Sequence, residues 1–377
     1  MNKDKKTIRD YLSQAKSIST ASTKAILAYD DPKKQLALAE SGELPDVVLR
    51  AGMRQLIKKR LKEEFASDPE LQQQKHHDMI QTLKESPLAI ETDKANEQHY
   101  EVPTDFYLHS LGKNLKYSSA YYPEGCDNLD EAEDTMLAMY VDRAGLEDDM
   151  TILELGCGWG SFTLWMAKHL PNAQITGVSN SATQKQHIMS ECEKHGLSNV
   201  TIITQDVNNL TLDDQFDRVV SIEMFEHVRN YQQLFHNIAN WLKPEGKLFT
   251  HIFCHRTLLY PFEVKGEDDW MSKYFFSGGL MPSSDTFLHF QDDLKLEKRW
   301  HVDGTHYEKT ANHWLELTDK NKEKILDIFQ QDSSTEEAKI WLQRWRMFFM
   351  ACAELFGYKK GSEWIVAHYL FEKRNNR

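Results

Sequence analysis

An α/β fold is predicted: a mostly parallel, Rossmann-like sheet with helices on both faces, and helical additions at either end. Three observations predict it. Between about residues 100 and 260, short apolar runs alternate with stretches of helical spacing, the pattern of a parallel sheet with crossover helices. One of these runs, Thr151-Ile-Leu-Glu-Leu155, ends in the glycine turn Gly156-Cys-Gly-Trp-Gly160, which reads as a buried strand turning tightly into a helix. Outside this region the periodicity is mainly helical. The chain therefore divides into a helical N-terminal extension and lid (1–99), a ligand-binding core (100–260) and an aromatic-rich helical substrate cap (261–377).

The elements follow in order. Leu49 to Phe65 places apolar residues at helical spacing with Lys and Arg between them, and Gln72 to Leu83 continues helical but polar. The charged segment after Leu88 reads as a connector. Strands are expected at Ile152–Leu155, Gln174–Val178, Val200–Thr204, Phe216–Ile222 and Lys247–Phe253, with helices starting near Gly160, Ser181 and Tyr231. Pro244-Glu-Gly246 reads as a turn before the fifth strand. From about 260 to 357 the chain is expected to be helical, with Trp341, Trp345, Phe348 and Phe349. Trp364 to Phe371 reads as a strand returning to the core sheet.

Bulk composition narrows the function. With 377 residues, 40% of them hydrophobic, the chain can bury a core of enzyme size plus additions. A formal net charge of −13 argues against nucleic acid and against adsorption on anionic lipid, since both are polyanions. Five cysteines without a Cys-x-x-Cys pair make a disulfide framework or thiolate zinc site a poor fit. No signal peptide and no bilayer-spanning run is visible, so a cytoplasmic protein without stable membrane association is expected.

The glycine turn departs from a dinucleotide loop, because Ser161 stands where the third glycine of Gly-x-Gly-x-x-Gly would fall. Glu154 closes the strand and points at the ligand, where a carboxylate would repel a pyrophosphate. A cationic, phosphate-free ligand suits it, and S-adenosylmethionine, with its amino group and sulfonium, has both properties. Gly156 and Gly158 would cradle that donor. After the second strand, Asn180 and Gln184 can bond ribose hydroxyls without charge, although a helix cap at Asn180 or Ser181 is the plain alternative. After the third strand, Asp206 could accept from an adenine amino group with Val207 under the ring. These positions fall on successive strand ends, where open α/β sheets bind ligands.

The fourth strand runs into Glu223-Met-Phe-Glu-His227. Glu223 and Glu226 are three apart and would share a face in a helical turn, with His227 beside them. Two carboxylates and an imidazole can hold an ammonium group and take its proton; a solvated acidic helix start is the alternative. His251, Phe253 and His255 would share one face of the fifth strand. A metal site there lacks an acid or cysteine at a usual spacing, and none is expected.

Gly156-Cys-Gly-Trp-Gly160, Asn180-Ser-x-x-Gln184, Glu223-Met-Phe-Glu-His227 and Cys254-His-Arg-Thr257 together resemble the plant coclaurine N-methyltransferase family, a branch related to the cyclopropane-fatty-acid synthases. Asp268-Asp-Trp270, Phe290-Gln-Asp-Asp293, Gly304-Thr-His-Tyr307, Trp345-Arg346 and Phe356-Gly-Tyr358 are similar to its C-terminal landmarks, and Pro45 to Arg60 to its helical lid. The resemblance covers about Gly42 to Lys373; the first forty residues have no counterpart. It implies a class I S-adenosylmethionine-dependent methyltransferase acting on the nitrogen of a cyclic amine such as an isoquinoline. Glu223, Glu226 and His227 would form the catalytic cluster, Tyr117 and Ser118 would join the donor site, and His251, Tyr307, Trp345 and Phe348 would meet the substrate. A monomer or homodimer is expected.

Two departures bear on the alternative, methyl transfer to an unsaturated lipid. In Lys116-Tyr-Ser-Ser-Ala-Tyr-Tyr122, Ser119 stands where the synthases carry a bicarbonate-binding Cys. The chain also has two acids where the synthases have one, and a second carboxylate favours a cation over an anion. His251 and Tyr307, however, match other bicarbonate contacts, so the lipid reading stays open beside the amine reading, as does a non-catalytic donor-binding protein.

Overall fold

The computed structural model describes residues 32–90, 102–263, 266 and 269–374. The helical reading of residues 1–31, most of the connector after Leu88, and Asp268 lie outside the described residues.

The core is a seven-stranded sheet in the order β3-β2-β1-β4-β5-β9-β8. Its parallel part comprises β1 (Thr151–Leu155), β2 (Gln174–Ser179), β3 (Val200–Thr204), β4 (Phe216–Ile222) and β5 (Leu242–His255). Next, β9 (Trp364–Lys373) pairs antiparallel with β5, as the return strand requires, and β8 (Leu294–Val302) pairs antiparallel with β9 at the edge. Along β1, Ile152 enters one hydrophobic cluster while Leu153 and Leu155 enter another. Both faces are thus covered, which is why the strands read as apolar runs and not as alternations.

The sheet order reverses at β1, between β2 and β4, and the carboxyl ends of those strands face a crevice. The helices that frame it are fixed locally. Helix α5 (Leu129–Ala144) is capped by Asn128, whose side chain accepts from Glu131 N, and ends on left-handed Gly145. Helix α6 (Ser161–His169) starts on left-handed Gly160, α7 (Ala182–His195) is capped by Ser181, and α8 (Tyr231–Trp241) by Asn230.

N-terminal helices α1 (Pro32–Glu40), α2 (Asp46–Glu64) and α3 (Pro69–Glu85) and short α4 (Thr104–Ser110) precede the sheet; α9 (Trp270–Tyr274), α10 (Gly304–Lys320), α11 (Lys322–Phe329) and α12 (Thr335–Phe356) follow it. Helix α12 opens with a capping box between Ser334 and Glu337. Ion pairs clip α1 and α2 to it: Glu40 takes both Nε and Nη2 of Arg344, and Glu354 takes Arg50 and Arg54. No helix among the described residues is long and apolar enough to cross a membrane.

Two sequence expectations need correction. Pro244-Glu-Gly246 does not precede β5 but lies within it, at the register shift where Phe216 pairs with Leu242 and Arg218 with Lys247. The region 260–357 is not wholly helical, since β8 and the short pair β6 (Tyr260–Pro261) and β7 (Leu280–Met281) fall there.

Candidate active site

One cavity opens at the strand ends, with about 180 Å³ accessible to the centre of a water molecule, room for on the order of ten waters. On the glycine-turn side it is lined by Glu154, Gly156, Gly158, Trp159, Ser161 and Gln184. Gly156 has φ +78°, and a Cβ there would meet Met224 at 2.6 Å. Gly158 has φ +52° and nothing within 4 Å of where its Cβ would stand, so its backbone is open to a ligand. Glu154 is buried and accepts from the Thr163 hydroxyl. Burial pushes its carboxyl up to about 8, and a cation beside it would draw the proton off. Gln184 Oε1 accepts from Ser179 Oγ at 2.6 Å, while its buried Nε2 has no protein partner among the described residues. An acid, an open glycine backbone and an orphan amide donor fit an amino group, a sulfonium and hydroxyls. Tyr117 and Ser118 line the cavity as well. Asn180, Asp206 and Val207 are not part of this wall; the Asp206 carboxylate caps a short 3₁₀ turn through Asn208 N at 2.7 Å.

Across the cavity stands Glu223. Its Oε1 accepts from Ser119 N (3.0 Å) and contacts His251 Nε2 (2.9 Å), and its Oε2 accepts from the Tyr307 hydroxyl (2.6 Å). Burial pushes its carboxyl up to about 7, against the opposing pull of Lys116. His227 lines the cavity with its ring 4.6 Å from that of Phe276, and burial depresses its pKa to about 4, so the imidazole is neutral. Lys116 also lines the cavity. It is fully buried, donates to Ser118 Oγ and Ser119 O, and burial lowers it to about 8.

The paired-acid expectation fails in one respect. Glu223 has φ +48°, a left-handed conformation rare for a residue with a side chain, and the 3₁₀ turn begins only at Phe225. Helical geometry therefore does not connect Glu223 to Glu226, and Glu226 does not line the cavity. It is wholly buried, with Oε1 accepting from Phe253 N at 2.7 Å, and burial followed by the Glu223 charge raises its pKa well above the carboxylate range. Its Oε1 thereby ties down the β5 backbone, while its buried Oε2 has no partner among the described residues. Glu226→Ala is expected to cost about 1–3 kcal/mol by orphaning that N–H, and Glu226→Gln much less, as read by urea denaturation.

His251 and Trp345 likewise lie outside the cavity wall. His251 is fully buried behind Glu223 and outside the cavity wall. Trp345 packs in the core against Phe106 (4.5 Å) and Phe275 (5.0 Å), whereas Phe348, one turn on, does line the cavity. Tyr307 lines it too, stacked on Phe356 at 4.2 Å. Phe253, Phe262, Phe276, Trp314 and Phe356 complete an aromatic wall, of which the sequence had flagged only Phe253, on its strand face, and Phe356, in a family landmark. Phe262 and Phe276 lie outside regular elements and Lys116 looks like any surface lysine, so only the periodicity of α10 and α12 could have flagged more of it. Among the described residues no group of three or more His, Cys, Asp or Glu is placed to hold a metal.

The sequence matches the family described as mycolic acid cyclopropane synthetase over residues 89–363. It is 36% identical to (S)-coclaurine N-methyltransferase of Papaver somniferum over 338 residues, 89% of this chain and 96% of the relative. It is 34% identical to pavine N-methyltransferase of Thalictrum flavum subsp. glaucum, across 89% of this chain and 95% of that one. The fold matches a crystal structure of coclaurine N-methyltransferase bound to N-methylheliamine and SAH with a TM-score of 0.87 and 34% identity, covering 90% of this chain and 99% of that one. A donor cradle at the switch point of the sheet, an aromatic chamber facing it and likeness over nearly the whole chain lead to one assignment: the chain belongs to the coclaurine N-methyltransferase branch of the cyclopropane synthetase family and is an S-adenosylmethionine-dependent methyltransferase.

Proposed function

We propose that the enzyme methylates the nitrogen of a cyclic amine of the isoquinoline type. The observation that carries this reading is the Glu223 carboxylate, held by Ser119 N, the Tyr307 hydroxyl and a contact with His251 Nε2 inside an aromatic chamber beside the neutral imidazole of His227. The relatives named as coclaurine and pavine N-methyltransferases support it.

When bound, S-adenosylmethionine supplies an electrophilic methyl group. Glu154, Gly156, Gly158 and Gln184 hold it, with Tyr117 and Ser118 beside them. Asn180, Asp206 and Val207, at the ends of β2 and β3, extend the same row toward the nucleoside. Glu223 attracts the ammonium form of the amine and faces the cation that grows on nitrogen. His227 would take the amine proton only in passing and relay it toward solvent, the Glu223 carboxylate offsetting the imidazolium charge, and so free the lone pair. Phe348, Tyr307 and Trp314 enclose a flat ring and exclude water, with cation–π attraction of about 0.5–2 kcal/mol. The chamber would hold the amine nitrogen beside the donor site, and such positioning lowers the barrier.

A single mass-spectrometric assay tests the assignment. Purified protein and S-adenosylmethionine are offered cyclic and open-chain amines beside phospholipid vesicles. A methyl gain on a cyclic amine is the expected result. A methylene gain on unsaturated lipid with the amines untouched would transfer the assignment to the lipid branch.

A further inference from the structure

Behind Glu223 a row of hydrogen bonds runs across one face of the sheet, from β5 to β9, and ends on Arg143 of the helix α5 that packs there. His251 on β5 and His368 on β9 are register partners, and His368 is also the partner of Trp300 on β8. The Arg143 guanidinium, in the last turn of α5, lies 5.1 Å from the Trp300 ring, and its Nη1 is 2.7 Å from His368 Nδ1. His368 Nε2 is 3.0 Å from His251 Nδ1, and His251 Nε2 is 2.9 Å from Glu223 Oε1. Tyr140, three residues before Arg143 on the same helix face, places its hydroxyl 2.7 Å from His251 Nδ1. Both histidine rings are wholly buried.

The direction of this row is dictated at its outer end. A guanidinium has donors only, so His368 Nδ1 must accept. A neutral His368 then carries its proton on Nε2 and donates to His251 Nδ1. His251 in turn carries its proton on Nε2 and donates to Glu223, so Oε1 cannot carry the acid proton. Burial and the nearby cations Arg143 and Lys116 keep both rings neutral.

We propose that Arg143 is a positioning residue that acts through His368 and His251 to hold Glu223 as a fixed acceptor for the substrate amine. The proposal rests on the amine reading of Glu223. Without Arg143, His368 Nδ1 is free to take a proton, the row can reverse, and the Glu223–His251 pair takes up a proton at higher pH whichever member holds it. Lys116, His227, Tyr307, Cys352 and Glu226 also face Glu223, and Lys116 and Tyr140 face the two rings. All of these remain in the variants below, and His368→Phe, which keeps the Arg143 charge, separates the row from the direct field of that guanidinium.

The test compares wild type with Arg143→Met, His368→Phe and His368→Gln, each confirmed to bind SAH. Ring ¹⁵N shifts report the tautomers of His251 and His368, and kcat/KM against pH is measured with a methylated amine. Wild type is expected to show both rings as neutral Nε2–H tautomers. Arg143→Met and His368→Phe should give mixed tautomers at His251 and move the acid-side midpoint up by about one unit. His368→Gln can still accept from Arg143 and donate to His251, so it should keep the wild-type tautomer and profile. A single Nε2–H tautomer at His251 and an unmoved midpoint in both Arg143→Met and His368→Phe would overturn the proposal. Should no amine be methylated, the substrate reading fails while the tautomers still decide the row.

Discussion

Glu223→Gln is expected to lower turnover on a cyclic amine by on the order of 10²–10⁴-fold while leaving SAH affinity essentially unchanged. The amide keeps the volume of the side chain. Its oxygen can still take Ser119 N and His251 Nε2, and its NH₂ can face the Tyr307 oxygen, so the swap removes charge with little change of shape. The pH dependence makes the test specific. Burial places the Glu223 carboxyl near 7; below that pH it is neutral and its attraction for an ammonium is lost, so activity should rise as pH passes through about 7. In Glu223→Gln this enzyme-borne rise should vanish, leaving only the rise set by the amine, which moves when the amine is changed. Rates by mass spectrometry across pH, with SAH binding by calorimetry, check both parts. Unchanged turnover and profile would remove Glu223 from the reaction.

The parallel core was legible in the sequence because strands buried on both faces are continuous apolar runs and the glycine turn marks the first crossover. The edge strand β8 was not: Leu-Lys-Leu-Glu-Lys-Arg-Trp-His-Val carries charges along an exposed stretch, and only its partner β9 makes it a strand. At the cavity, the glycine turn and the presence of Glu223 and His227 in the wall could be read from motif and order. That Glu223 lines the cavity and Glu226 does not could not be read, because spacing predicts a shared face only if the backbone is helical, and Glu223 is left-handed. Trp345 and Phe348 stand three apart on one helix, and their spacing cannot say which of the two reaches the cavity. His368 and Arg143 belong to no motif; antiparallel register and a helix end bring them behind Glu223.

Gly158→Leu is expected to leave the fold intact and weaken donor binding by on the order of 100-fold or more, about 2.8 kcal/mol. The two neighbouring glycines separate folding from binding. At Gly156 a side chain would run into Met224 at 2.6–2.7 Å as well as adopt a positive φ, so substitution there strains the protein itself. At Gly158, chain neighbours aside, no atom of the described residues lies within 4 Å of a Cβ, and the residue lines the cavity. The folded state should therefore lose only the left-handed backbone penalty, about 1–2 kcal/mol for a residue with a Cβ, while the leucine occupies space beside Glu154 that a donor needs. Ligand-induced stabilisation gives the readout. SAH at 100 times its wild-type Kd should stabilise wild type by about 2.7 kcal/mol and raise its Tm accordingly, whereas Gly158→Leu, its ligand-free Tm lowered a few degrees by the backbone penalty, should show almost no response to the same SAH. A full Tm response in Gly158→Leu would place the donor elsewhere and detach the glycine turn from the chemistry built around Glu223.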